Sequence, residues 1–175
     1  MKDVLFDADA FLCIRKLSFL RTLEAGKGKW LMTGYIAKHE LSDVIAEIGA
    51  LCAAERLQIH QLPARDVGFR RLKEQGHDRG EAEAIAWAAQ LPRDQRPLFI
   101  SVDKRARDGA KENGVPVGDI LDLMIEAVDC GDVTYEDARE KASIWDDKHQ
   151  VQGRPRDYTT FAETFEKRRQ SRRQR

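Results

Sequence analysis

The chain has 175 residues, of which 42% are hydrophobic and 34% charged, with 30 basic and 30 acidic side chains. That length suits one domain whose core needs no disulfide staples. Cys13, Cys52 and Cys130 lie far apart without paired spacing, and no apolar run reaches membrane-spanning length, which excludes a disulfide framework, a cysteine-based zinc site and a transmembrane helix.

Lys2 and Asp3 lead straight into a strand-like segment with no signal-peptide stretch, so the expectation is a soluble, cytoplasmic protein with reduced thiols. The balanced charge hides an asymmetry. Lys167, Arg168, Arg169, Arg172, Arg173 and Arg175 put six positive charges in the last nine residues, and residues 1–166 therefore carry 24 basic against 30 acidic side chains. A basic tail on an acidic body points to a phosphate-rich or acidic partner, because each cation set beside a phosphate releases a counterion. The six residues are accordingly candidates for nucleic-acid contact.

In chain order, Val4-Leu5-Phe6 reads as a buried strand that stops at Asp7-Ala8-Asp9. Phe11, Leu12, Ile14, Leu17 and Leu20 recur at helical spacing, and Gly26 and Gly28 end that helix. Trp30–Thr33 is a second strand. A long amphipathic helix is expected from about Tyr35 to Arg56, and a third strand over Leu57–Leu62. Helices follow around Arg65–Gln75 and Gly80–Leu91, before the strongest buried strand, Pro97–Val102, which ends at Asp103. Lys104–Glu112 reads as helix, Val115–Val117 as a brief strand and Ile120–Val128 as helix. Thr134–Trp145 and about Tyr158–Lys167 are added helices, joined by a linker at Gln150–Arg156. Strands alternating with helices imply an α/β protein with a parallel sheet covered on both faces.

Position singles out four acids. Asp7 and Asp103 directly follow the two most apolar strands, and in an open α/β sheet the carboxyl ends of parallel strands line the ligand crevice. On ideal helices, Glu40 and Glu81 lie about 80° from the centre of their apolar faces, whereas Glu83 lies about 120° away and is expected to turn outward. Carboxylates brought together repel one another, and a hard divalent cation such as Mg²⁺ or Mn²⁺ relieves the repulsion. The competing structural reading is that Asp103 caps a helix and Glu81 favours a helix dipole. His39, His60, His77 and His149 are scattered and read as structural or exposed.

These four acids stand in motifs that resemble the PIN-domain nucleases, in particular their bacterial toxin-like, VapC-type branch. VLFDADAFL (4–12) resembles that family's strand-ending aspartate motif, and TGYIAKHEL (33–41) the stretch with its first helical glutamate. HDRGEAEAIAWA (77–88) is the most specific match, and LFISVDKRARDGAKENGVPV (98–117) resembles the segment with the last aspartate. The resemblance implies a PIN-like three-layer domain over residues 1–132, followed by a helical extension with the basic tail over 133–175. It also implies a Mg²⁺- or Mn²⁺-dependent nuclease, acting on RNA, with Asp7, Glu40, Glu81 and Asp103 catalytic and Asp7, Glu81 and Asp103 holding metal. A homodimer and a neutralising antitoxin protein, as in a toxin–antitoxin pair, belong to the same implication. The sequence departs from the pattern where Val102 and Lys104 flank Asp103, since the family often has a second acid there; Asp9, Asp108, Asp119 and Asp122 are the acids available to replace it. Two other readings remain. Asp7 and Asp9 are spaced as in haloacid-dehalogenase-like phosphatases, although Phe11 and the absence of a clear downstream lysine and acid pair depart from that family. A non-catalytic PIN-like module binding RNA or a protein is the third.

Overall fold

Val4–Phe6 (β1) is buried at every residue, as are Trp30–Thr33 (β2) and Leu98–Ile100 (β4), the three most apolar strand segments. With Leu57–His60 (β3) and Val117–Gly118 (β5) they form a five-stranded, wholly parallel sheet in the order β3-β2-β1-β4-β5. β1 lies at its centre, pairing Val4 with Trp30 on one side and with Leu98 on the other. Strands surrounded by neighbours and helices carry no polar alternation, which is why these runs are continuously hydrophobic. No helix among the described residues is long and apolar enough to cross a membrane.

The computed structural model describes residues 2–23, 26, 28–63, 65–148 and 151–174. They divide into two compact units, one built from Lys2–Phe11 with Gly28–Gly118, the other from the described residues of Leu12–Lys27 and Asp119–Arg175. The first unit contains the whole sheet, with helices α3 (Ile45–Ala53), α4 (Val67–Glu74), α5 (Arg79–Gln90) and α6 (Lys104–Glu112). Helix α1 (Ala8–Lys16) passes from one unit into the other. The second unit holds α2 (Phe19–Leu23), α7 (Ile120–Asp129), α8 (Tyr135–Asp147) and α9 (Phe161–Arg173). The single helix expected over residues 11–20 is two, because Ser18 takes a left-handed conformation at φ 55°.

One larger correction lies in the first unit. The long helix expected from Tyr35 to Arg56 is three pieces: a wide π turn at Ile36–Glu40, a 3₁₀ turn at Ser42–Val44, and α3. The Leu41 N–H donates to the Ile36 carbonyl five residues back, at 3.0 Å. Ile36, Ala37 and Leu41 are all buried. On an α-helix residues five apart diverge by about 140°, whereas a turn closed by i to i+5 bonds brings the fifth residue back near the same face. Burial of both Ile36 and Leu41 therefore selects the π turn. The break that follows also leaves Ile45, expected on the apolar face, 50% exposed.

In the second unit, the stretch Gln150–Arg156 is more than the linker its composition suggests. Among its described residues, Pro155 is buried, Arg154 donates to the Trp145 carbonyl at 3.0 Å, and Arg154 lies over the Tyr158 ring. Tyr158 in turn donates to Asp146 at 2.8 Å, so this segment is tied to α8 by side-chain bonds. Helix α9 runs through most of the basic tail. Its Arg168 bridges Asp119 at 2.9 Å and Asp122 at 3.4 Å and also pairs with Asp157. Arg169 pairs with Asp129 at 2.6 Å, and Arg172 with Asp122 and Glu126. Arg168 is only 18% exposed, and its three acids outweigh burial and bind its proton more tightly than in free arginine. Removing one member of such a group strands the others without a counter-charge. Arg168→Met should therefore lower stability at pH 7 by about 2 kcal/mol. The loss should shrink towards pH 3 as the facing acids protonate, which denaturant unfolding at the two pH values would measure.

Candidate active site at the carboxyl ends of the strands

Register brings the first two groups together. Phe6 lies opposite Ile100, so the next residues, Asp7 and Ser101, leave the sheet side by side. The Asp7 N–H donates to the Ile100 carbonyl at 3.2 Å. The Asp7 carboxylate accepts the Ala10 N–H at 2.7 Å at the start of α1 and a second hydrogen bond from the Ser101 hydroxyl. Ser101 is fully buried, and its hydroxyl also accepts the Asp103 N–H at 3.0 Å. It thus ties the ends of β1 and β4 together. Sequence reasoning misses Ser101 by reading it as part of the strand; the available signal is a polar residue at the close of an apolar run, two before an aspartate.

Asp7 is 6% exposed. Burial raises its carboxyl to about 7 against the pull of its two hydrogen bonds, with Asp9 and Glu81 adding repulsion. Asp103 also caps α6, accepting the Arg105 N–H at 2.6 Å, and stands exposed. The structural and the functional readings of Asp103 describe one side chain, because a cap uses only part of a carboxylate's accepting capacity.

Glu40 closes the π turn after β2. The residue is exposed as a whole, but its carboxylate turns inward over Gly80, which donates its N–H to it. A Cβ at position 80 would overlap that carboxylate, so any other residue there would push the Glu40 side chain from this place. Desolvation, then the charges of Asp78 and Asp7, raise the Glu40 carboxyl to about 7. Glu81 follows in the first turn of α5, whose cap is Asp78 accepting the Glu81 N–H at 2.8 Å. Burial and the charges of Asp78 and Asp103 raise its carboxyl, opposed by His77, whose Nδ1 lies 3.3 Å away. Of the four scattered histidines, His77 therefore belongs to the site's surroundings. It is buried against α6, where its ring fills the space a side chain at Gly109 would need.

Glu83 requires a correction. The expected outward direction fails because α5 is buried on nearly all sides: Ala82, Ala84, Ile85, Ala86 and Ala88 are buried as well as Glu83. Short alanine side chains let α4, α6 and β2 close around the helix. The Glu83 carboxylate accepts the Tyr35 N–H at 2.8 Å and so anchors the turn that carries Glu40.

Asp7, Glu40, Glu81 and Asp103 thus come from the ends of β1, β2 and β4 and the start of α5, and each interacts electrostatically with at least one other. The order reverses beside β1, the switch point where open α/β sheets place their ligands. Four carboxylates without sulfur suit a hard divalent cation in donor chemistry, and the glycine at 80 leaves Glu40 its place. Among the described residues, no three His, Cys, Asp or Glu side chains stand close enough to close a coordination shell on one ion. Other acids are engaged elsewhere. Asp108 pairs with Lys104 on the surface of α6, and Asp119 and Asp122 bind Arg168 in the second unit. Asp9 stands exposed in the first turn of α1. Of the tail residues, Arg168, Arg169 and Arg172 are held by acids of their own unit, Lys167 and Arg173 are exposed, and Arg175 lies outside the described residues.

The chain is similar in structure to a PilT N-terminus domain protein from the hyperthermophilic archaeon Sulfolobus solfataricus P2, with a TM-score of 0.51 over 71% of this chain and 92% of that one. The fold is that of a PIN domain. Identity across the PIN-domain match is 20%, so the likeness is one of architecture. No protein-family model matches the chain, and no curated protein does.

The buried acids have measurable consequences for stability. The folded state holds the Asp7 proton to about 7, against 3.8 for an ordinary aspartate. The metal-free protein therefore loses stability as pH rises through that window, because the folded form binds the extra proton there. Asp7→Asn should remove the slope and stabilise the metal-free protein above pH 7 by roughly 2–4 kcal/mol, read from urea unfolding at pH 5 and pH 8. Glu83→Ala strands the Tyr35 N–H and should cost about 1–2 kcal/mol, with faster amide exchange confined to residues 35–41.

Proposed function

We propose that the chain is a Mg²⁺- or Mn²⁺-dependent nuclease that hydrolyses phosphodiester bonds, with single-stranded RNA as its substrate. The observation that carries the reading is the convergence of carboxylates from four separate segments at the switch point of a PIN fold, where burial and mutual repulsion hold the protons of Asp7 and Glu40 up to about 7. Structure alone gives such acids little stability; a bound cation makes their proximity favourable. Asp7, Glu81 and Asp103 would hold the ion, their side chains drawing in around its charge from positions that do not yet enclose it. Bound there, the ion would polarise a phosphoryl oxygen and lower the pKa of a water. Glu40, at the rim and poised near neutrality, accepts the proton of the attacking water as its oxygen bonds to phosphorus and the bond to the leaving sugar oxygen breaks. Ser101 orients Asp7, and His77 orients Glu81.

The toxin role, the antitoxin protein and the homodimer rest on the sequence motifs alone. The phosphatase reading loses its ground, since Asp9 stands exposed while Asp7 is buried on a PIN fold.

The ligand carboxyls must lose their protons to bind a cation. Mn²⁺ affinity should rise steeply from pH 5.5 to 7, by roughly tenfold per unit for each carboxyl that titrates, and flatten above. Calorimetric titration at several pH values measures it. Asp7→Asn and Asp103→Asn should abolish Mn²⁺-dependent cleavage of single-stranded RNA while far-ultraviolet circular dichroism stays unchanged. RNA binding without cleavage by the unaltered chain, across all divalent cations tried, would instead favour the non-catalytic module.

A further inference from the structure

A site made of acids repels phosphates, and three of the tail arginines are already paired with acids, so cations and flat groups beside the acids themselves bear on how a nucleic acid is held. The two segments that carry Glu40 and Glu81 also carry cations and flat side chains. Tyr35 and His39, one turn apart in the segment leading to Glu40, stack with ring centroids 4.6 Å apart and planes inclined by 32°. The Arg79 guanidinium lies over the Tyr35 ring at 4.7 Å, two residues before Glu81. Tyr35 is half-buried, while Lys38, His39 and Arg79 are exposed. The Glu83 carboxylate fixes the Tyr35 backbone from beneath the surface at 2.8 Å. Arg79 also lines a hollow with Leu62, Pro63, Phe69 and Glu83, which leaves open space beside the guanidinium.

A π turn that holds one aromatic group under another and a guanidinium across the ring makes a rigid pile of planar groups with two exposed members. Unpaired nucleobases add to such piles, on histidine and tyrosine rings and on guanidinium planes alike. A base in a duplex is already stacked and paired, so the platform favours single strands. His39 adjoins Glu40 in the chain, and Arg79 stands next to Gly80, whose N–H the Glu40 carboxylate accepts. The platform therefore borders the acids by construction.

We propose that Tyr35, His39 and Arg79 form a base-stacking subsite that holds the nucleotide next to the phosphate presented to the four carboxylates. The subsite rests on the nuclease reading and names the feature of the substrate it takes, an unstacked base in a single-stranded nucleic acid. Arg79 and Lys38 supply the positive charge for the adjoining phosphates.

The test uses the full chain with Ca²⁺ in place of Mn²⁺, and fluorescence anisotropy on labelled ten-nucleotide RNA and DNA single strands of one sequence, and on the RNA duplex. Tyr35→Leu and His39→Ala should each weaken single-strand binding by roughly 5- to 100-fold, Tyr35→Phe should restore it, and the duplex should bind more weakly than either single strand. Moving a single abasic position along the RNA should find one site where the unaltered chain loses as much affinity as Tyr35→Leu does, and where Tyr35→Leu loses nothing further. Equal binding of RNA and DNA makes the base the recognised group; tighter RNA binding adds a contact to the ribose 2′-hydroxyl, and both outcomes support the subsite. Unchanged binding and Mn²⁺-dependent cleavage by both Tyr35→Leu and His39→Ala would overturn the subsite and leave the nuclease reading standing. A chain that neither binds nor cleaves any of the three oligonucleotides would overturn both.

Discussion

A carboxylate buried at the end of the central strand is the constraint around which the first unit is organised. Asp7 cannot be moved outward without breaking the pairing of β1 with β4, because its backbone continues the ladder to Ile100. The surroundings therefore adapt to the charge: Ala10 and Ser101 donate to it, and α1 starts where its oxygen can accept. Two hydrogen bonds do not offset the desolvation, and the carboxyl keeps its proton near neutrality. A fold selected for stability alone would place an amide there; on the nuclease reading, retaining the acid exchanges stability for the capacity to hold a positive charge.

Much of this is legible in the sequence, and the reasons are local. Val4–Phe6 and Leu98–Ile100 are apolar throughout because each strand is buried on every side, and an acid directly after such a run has only the strand end to occupy. Asp7 and Asp103 can therefore be located from the pattern alone. The helix faces are less readable. An angular calculation assumes one regular helix with one buried side, and both assumptions fail here. Residues 36–44 abandon the α register so that Ile36 and Leu41 share a face, and α5 is enclosed nearly all round because its alanines admit close neighbours. Glu83 turns inward where a regular one-sided helix would send it out, and the Glu40 carboxylate is aimed by a π turn that an α-helical angle does not describe. Ser101 and His77 escape notice because nothing in a serine or a histidine announces its partner, and the Asp7 that Ser101 serves is remote in sequence.

The second unit shows how composition can mislead about charge. Six cations in nine residues look like a free arm for an acidic partner. Arg168, Arg169 and Arg172 recur along one side of α9, and Asp122, Glu126 and Asp129 recur along α7 behind its cap Asp119, so the two helices are joined by rows of complementary charge. The acidic excess of the rest of the chain and the basic excess of the tail thus partly answer each other within one set of ion pairs. Net charge summed over segments cannot reveal this, because the spacing that matters runs between helices far apart in the chain.

The parallel pairing of β1 with β4 also sets when the site can exist. Val4 and Leu98 are neighbours in the sheet although most of the first unit separates them in the chain. Contacts between such distant segments form late, after the entropy of closing the long intervening loop has been overcome. Asp7 leaves the ribosome well before Ser101 and Asp103, which reach it only after β2, α5 and β4 have followed. During synthesis the nascent chain is a string of dispersed acids, and the assembled cluster appears only once β4 and the residues that follow it have been made. For a nuclease of the kind proposed, which would cut the class of molecule from which it is translated, delayed assembly keeps the unfinished chain harmless to its own message.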